Sequence, residues 1–163
     1  DEINRKWCTD FTYLFLANHE VRYNCTIIDL HDRSVIANIT DRNITSDLAI
    51  RTLRKALESQ PTIKEGLILH SDQGSQYTSK AFTEFCESVN VTQSMSKAGY
   101  PYDNAPMERY FNTLKNECTN LYEFTTEETL YQKVEEFAYV DYNHVRPHSY
   151  NGYRTPYEAR TAA

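Results

Sequence analysis

Three β-rich stretches fill the first forty residues with little chain between them. Residues 7–16 (WCTDFTYLFL), 21–29 (VRYNCTIID) and 34–40 (SVIANIT) are aromatic and β-branched, the side chains that suit a pleated, half-buried surface. Polar turns at Asn18-His19-Glu20 and at Asp32-Arg33 separate them. Connections this short cannot carry a crossover, so neighbouring strands must run antiparallel. The chain is committed to begin with a three-stranded meander.

The hydrophobic period then changes. Ser46 and Asp47 offer a helix N-cap, and Leu48, Ala49, Leu53, Ala56 and Leu57 follow at helical spacing before Pro61. Residues 66–71 (GLILHS) form a short apolar run, read as a buried strand. Thr78 or Ser79 caps a helix carrying Phe82, Phe85, Cys86 and Val89, and residues 91–94 are a brief strand. Residues 97–103 (KAGYPYD) contain Gly99 and Pro101 and are expected to be the most mobile internal stretch. Further helices are expected from about 105 to 118 and from about 126 to 142. Strands first, then strands alternating with helices, predict an α/β protein with a mixed five-stranded sheet and helices on both faces. That order is the order of the ribonuclease-H-like fold. The length of 163 residues fits one domain, 1–163.

Three acids stand out against this framework. Asp10 sits mid-strand among Trp7, Phe11, Tyr13 and Phe15, where a lone carboxylate is costly unless paired or bound to metal. Asp72 ends the buried strand, the usual place for ligands in open α/β sheets. Glu108 lies in the first turn of a helix, where acids are also favoured by the helix dipole. Each alone reads more readily as structural. In the ribonuclease-H-like fold the first and fourth strands are adjacent at the sheet centre, and three carboxylates there would hold two Mg²⁺ (or Mn²⁺) ions through hard oxygens, an arrangement that serves phosphodiester chemistry.

The charge balance argues against a stand-alone DNA-binding module. There are 17 Lys+Arg against 23 Asp+Glu, a net charge of −6, whereas DNA binders are usually basic. The four cysteines (Cys8, Cys25, Cys86, Cys118) form no CxxC pair and read as buried, reduced thiols. No apolar run approaches the length of a membrane span. The sequence starts at Asp1 without Met and reads as a fragment of something longer.

Residues 70–79 (HSDQGSQYTS) resemble the segment around the second acid of bacterial insertion-sequence transposases of the OrfB type, whose core belongs to the retroviral-integrase-like DDE superfamily. Residues 94–117 (SMSKAGYPYDNAPMERYFNTLKNE) resemble the segment carrying that family's third acid, and 35 residues separate Asp72 from Glu108, the family's spacing. Trp7-Cys8-Thr9-Asp10 resembles its first-acid strand, and Tyr142-Asn143, Arg146-Pro147-His148 and Thr155-Pro156 its C-terminal block. The resemblance implies a polynucleotidyl transferase with Asp10, Asp72 and Glu108 as catalytic and metal-binding residues. It implies two Mg²⁺ (or Mn²⁺) ions, DNA ends and target DNA as substrates, a homo-oligomer on DNA, and a cytoplasmic, nucleoid-associated setting. It also implies an N-terminal helix-turn-helix region outside this chain, which accounts for the acidic charge.

Around the acids, several residues read two ways. Lys115 and Asn112 share a helical face with Glu108 and suit either the DNA backbone or solvent. Gln76, with Ser71 and Gln73, either orients phosphate or caps a loop. Arg146 and His148 are further DNA-contact candidates. Asp103 and Asn104 read as helix caps, and His70 as a core histidine. His144 and His148 have a metal-like interval, but Pro147 breaks the helix that would align them. Two rival readings share the acids: a ribonuclease-H-type nuclease, and an inactive, domesticated core serving as an interaction module.

Overall fold

In the computed structural model, which describes residues 2–63, 65–96 and 104–162, the expected meander is β1 (Lys6–Phe15), β2 (Val21–Asp29) and β3 (Val35–Asp41). β1 pairs antiparallel with β2 from Trp7↔Asp29 to Phe15↔Val21, and β2 with β3 from Tyr23↔Asp41 to Ile28↔Val35. β4 (Ile68–Ser71) then runs parallel to β1, and β5 (Thr92–Met95) parallel to β4. The sheet order β3-β2-β1-β4-β5 puts β1 at the centre with β4 beside it. The stretch 97–103, expected to be mobile, lies outside the described residues.

Strand alternation sorts β1 between two cores. Trp7 points to the face covered by α1 (Ser46–Ser59) and α3 (Lys80–Ser88), where it packs with Ile27, Leu53, Leu69, Tyr77 and Phe82. Cys8 and Leu14 point to the opposite face, under α4 (Ala105–Glu117) and α5 (Glu127–Glu136), with Met107, Tyr110, Leu114 and Leu130. Full burial of such a side chain stabilises the fold by about 2 kcal/mol, so both faces need their helices. All four cysteines are free and buried. Among the described residues no helix is long and apolar enough to cross a membrane.

Several boundaries differ from the sequence reading. The cap of α1 is Thr45, whose side chain accepts from Leu48 N–H at 3.1 Å, because Thr45 is the residue in extended conformation. Ser79 caps α3, and a four-residue α2 (Ser75–Thr78) precedes it. The helix beginning at Glu127 does not stay α-helical to residue 142. Beyond Glu136 it is wound as a π-helix, Phe137–Val145. There Asn143 clamps the edge strand, accepting from Val35 N–H at 2.9 Å and donating to Val35 C=O at 3.0 Å, where the β2–β3 register shifts. A last helix, α6 (Pro156–Thr161), was not foreseen. Thr155 and Glu158 form its capping box. From it, Arg160 donates to Asp29 at 2.9 Å and Asp32 at 2.8 Å, tying the chain end to the β2–β3 hairpin.

Candidate active site

Parallel pairing of β1 with β4 sets the site. Cys8 stands opposite His70, so continuing that register brings Asp10 alongside Asp72, on strands about 4.8 Å apart. Asp10 shares its face with Cys8 and Leu14, the face that α4 covers. The first turn of α4 carries Glu108 onto the same side.

Asp10 is half-buried and its two carboxylate oxygens are both engaged. Oδ1 accepts from the Phe11 N–H at 2.8 Å, and Oδ2 accepts from Asn104 Nδ2 at 2.9 Å. Burial is the strongest influence on its acidity and pushes it up to about 7; the Phe11 N–H opposes this, and the Asp72 carboxyl, in hydrogen-bonding contact, and the charge of Glu108 add to it. Two carboxyls in contact cannot both ionise cheaply. Near neutral pH, the Asp10 carboxyl is therefore still partly protonated.

Asp72 is fixed from its own loop. Its Oδ1 accepts from the Gly74 N–H at 2.8 Å. A Cβ on residue 74 would lie 2.9 Å from that Oδ1 and 3.3 Å from Gln76 Oε1, so this close approach requires glycine. Tyr77 pins the loop to the sheet: its hydroxyl meets Thr9 Oγ1 at 3.2 Å, and its ring packs on Phe11 and Phe82. His70 is buried between Ser94 and Ser96, at 3.0 and 2.9 Å, as a core histidine would be.

Glu108 is exposed and acts on Asp10 through its charge alone. Among the described residues, no three His, Cys, Asp or Glu side chains stand close enough to hold a metal ion as they are. The arrangement is a close Asp10–Asp72 pair with Glu108 standing off on the helix.

Asn104 is the residue that the sequence reading mistook. It occupies the N-cap position of α4 but makes no side-chain cap bond. It turns instead to Asp10, and its buried Oδ1 has no hydrogen-bond partner among the described residues. Its place one turn before Glu108 was the available signal.

The other candidate residues scatter. Asn112 is exposed on the Glu108 face, and Gln76 is half-buried beside Asp72. Lys115, two turns and roughly 10 Å along the axis from Glu108, lines a depression of about 410 Å³ with Tyr13, Phe15 and Tyr122. Arg146 is held by Glu117 through paired 2.9 Å bonds. His148 is buried edge-on against Tyr142; burial, then the Arg146 charge, lowers it to about 4, so it is uncharged at neutral pH. His144 stacks on Tyr157 at 4.3 Å, away from any shared metal position with His148.

Residues 1–101 match the model of one integrase core domain family, and residues 89–156 match a second model of the same description. The transposase InsF of the insertion sequence IS3A from Escherichia coli is 35% identical over 94% of this chain and 52% of its own length. The IS904 transposase of Lactococcus lactis is 33% identical over 94% of this chain and 60% of its own. The chain thus spans about half to three-fifths of these relatives. Among solved structures, the HTLV-2 integrase catalytic core in complex with magnesium superposes with a TM-score of 0.70 at 19% identity, covering 98% of this chain and 97% of that one. A simian T-cell lymphotropic virus intasome superposes with a TM-score of 0.81 at 18% identity, covering 98% and 55%. These likenesses identify the fold as ribonuclease-H-like.

Proposed function

Because the chain belongs to the integrase core family, we propose that it is the catalytic core of an insertion-sequence transposase, cleaving DNA ends and joining them to target DNA in a metal-dependent reaction. The observation that carries this reading is the contact of Asp10, on central strand β1, with Asp72 just past the end of β4, and Glu108 in the first turn of α4 near enough for its charge to act on Asp10.

The donor set fits Mg²⁺ or Mn²⁺. It consists of hard carboxylate oxygens, among them those of Asp10, whose proton near neutral pH a cation would replace, and next to them is Asn104 Oδ1, which has no hydrogen-bond partner among the described residues. Asp10, Asp72 and Glu108 would hold the ions, two in the active state. When bound, such ions activate a hydroxyl nucleophile and stabilise the leaving oxygen of an in-line displacement. The protein's own part is to release the proton from Asp10, to keep Asp10 oriented through Asn104 and the Phe11 N–H, and to hold Asp72 through the Gly74 N–H. Its partners are the element's inverted-repeat ends and target DNA, engaged as a homo-oligomer.

The test incubates the chain, and the chain extended by its upstream reading frame, with a labelled inverted-repeat end and Mg²⁺. Nicking at the end followed by covalent transfer to a second duplex is expected. Cleavage of an RNA–DNA hybrid without strand transfer would instead indicate a ribonuclease-H-type nuclease. No metal-dependent product from either form would indicate an interaction module.

A further inference from the structure

The flank of α4 turned away from Lys115 borders a groove of about 770 Å³, closed on its other side by the segment from Tyr142 to Tyr153 and by Arg33 of the β2–β3 turn. Glu108, Asn112 and Lys115 share one flank of the helix, whereas Arg109 and Thr113, four residues apart, share the groove flank. The two sites therefore meet over the first turns of α4.

The groove is basic although the chain is acidic. In a chain of net charge −6, Arg33, Arg109 and Arg146 line it and, among the described residues, no acid does. Arg146 is committed to Glu117. Neither Arg33 nor Arg109 has an ion-pair partner among the described residues, and Arg33 lies over the Tyr150 ring at 4.1 Å. Two tyrosines stand out into solvent at its rim, Tyr150 at 57% and Tyr153 at 75% exposure. Tyr153 is held there at φ 66°, in the left-handed region, a costly conformation for a bulky side chain. The wall includes His148, 8% exposed, whose Nε2 has no partner among the described residues.

Unneutralised arginines attract a polyanion. Exposed aromatic rings backed by arginine are stacking platforms for unpaired bases. We propose that this groove seats an unpaired stretch of DNA strand beside the cleavage site, its bases stacked on Tyr150 and Tyr153 and its phosphates on Arg33 and Arg109. The proposal rests on the reading of DNA as substrate and adds which part of it this flank receives.

The experiment uses a DNA duplex with a short 3′ overhang containing 5-iodouracil, alongside the fully paired duplex. Irradiation and peptide mapping should place crosslinks at Tyr150 or Tyr153 for the overhang only. Tyr153→Ala should weaken overhang binding about tenfold and duplex binding less than twofold, and Tyr153→Phe should restore it. Arg33→Gln should lower the salt slope of overhang binding by about one. Crosslinks elsewhere, equal losses for both DNAs, or displacement of the overhang by poly-glutamate at equal charge would overturn the proposal. End cleavage without groove crosslinks would sink this inference and leave the assigned activity standing. Groove crosslinks in a chain that never cleaves would do the reverse.

Discussion

Replacing Asp10 with Asn should make the metal-free protein more stable, by an amount that depends on pH. A carboxyl held at about 7 instead of 3.8 is harder to ionise in the folded chain by about 4 kcal/mol, at roughly 1.4 kcal/mol per pH unit. Because the folded value is raised, the stability supplied by neutral Asp10 is intact below pH 3.8 and is lost as pH rises through 7. Above that the wild type bears the whole cost, and Asp10→Asn bears none. The amide fits the same hydrogen bonds: the Asn104 side chain can rotate to offer its unpartnered Oδ1 to the new NH₂. Urea denaturation of both proteins in EDTA, from pH 4 to 8.5, measures the difference with other titrations cancelled. It should be near zero at pH 4 and grow to about 4 kcal/mol above pH 7, roughly 8–16 °C in Tm. A difference that does not change with pH, or an Asn variant less stable at pH 8, would refute the reasoning.

The raised Asp10 carboxyl makes metal binding a proton-releasing event: Mn²⁺ titrations in buffers of different ionisation enthalpy should show close to one proton released per site at pH 6 and almost none at pH 8.5. Gly74→Ala puts a Cβ 2.9 Å from Asp72 Oδ1; end cleavage should fall at least tenfold while Tm, read by circular dichroism, moves by only a few degrees. Asn104→Ala removes a donor from the charged form of Asp10, so the pH midpoint of Mg²⁺-dependent cleavage should move up by about one unit, with Asn104→Gln intermediate.

The meander and the alternation of later strands with helices were legible because turn length and side-chain period are local signals, whereas the central place of β1 followed only from the likeness of that order to the ribonuclease-H-like fold. Asp10 stood out on a local signal too, as an acid in an aromatic strand. Asn104 did not, because an Asn before a helix is explained by capping alone, and only the fold shows that its amide reaches across to β1. The capping box of α6 was present in Thr155-Pro156-Tyr157-Glu158 and was passed over. Its tie through Arg160 to Asp29 and Asp32 spans more than 120 residues, beyond any local pattern. The π-helix carries a tertiary contact, Asn143 on Val35, that a local helical period does not encode. His148 reads in the sequence as a DNA-contact candidate, but local pattern does not show that it is buried against Tyr142.

The central claim is that Asp10, Asp72 and Glu108 act together through bound metal on DNA. The most direct measurement compares end cleavage and strand transfer by wild type, Asp10→Asn, Asp72→Asn and Glu108→Gln in Mg²⁺, each variant first shown to be folded by its thermal transition. Each near-isosteric substitution should abolish both reactions while leaving the fold intact. Activity near the wild-type level in any one of the three would contradict the account.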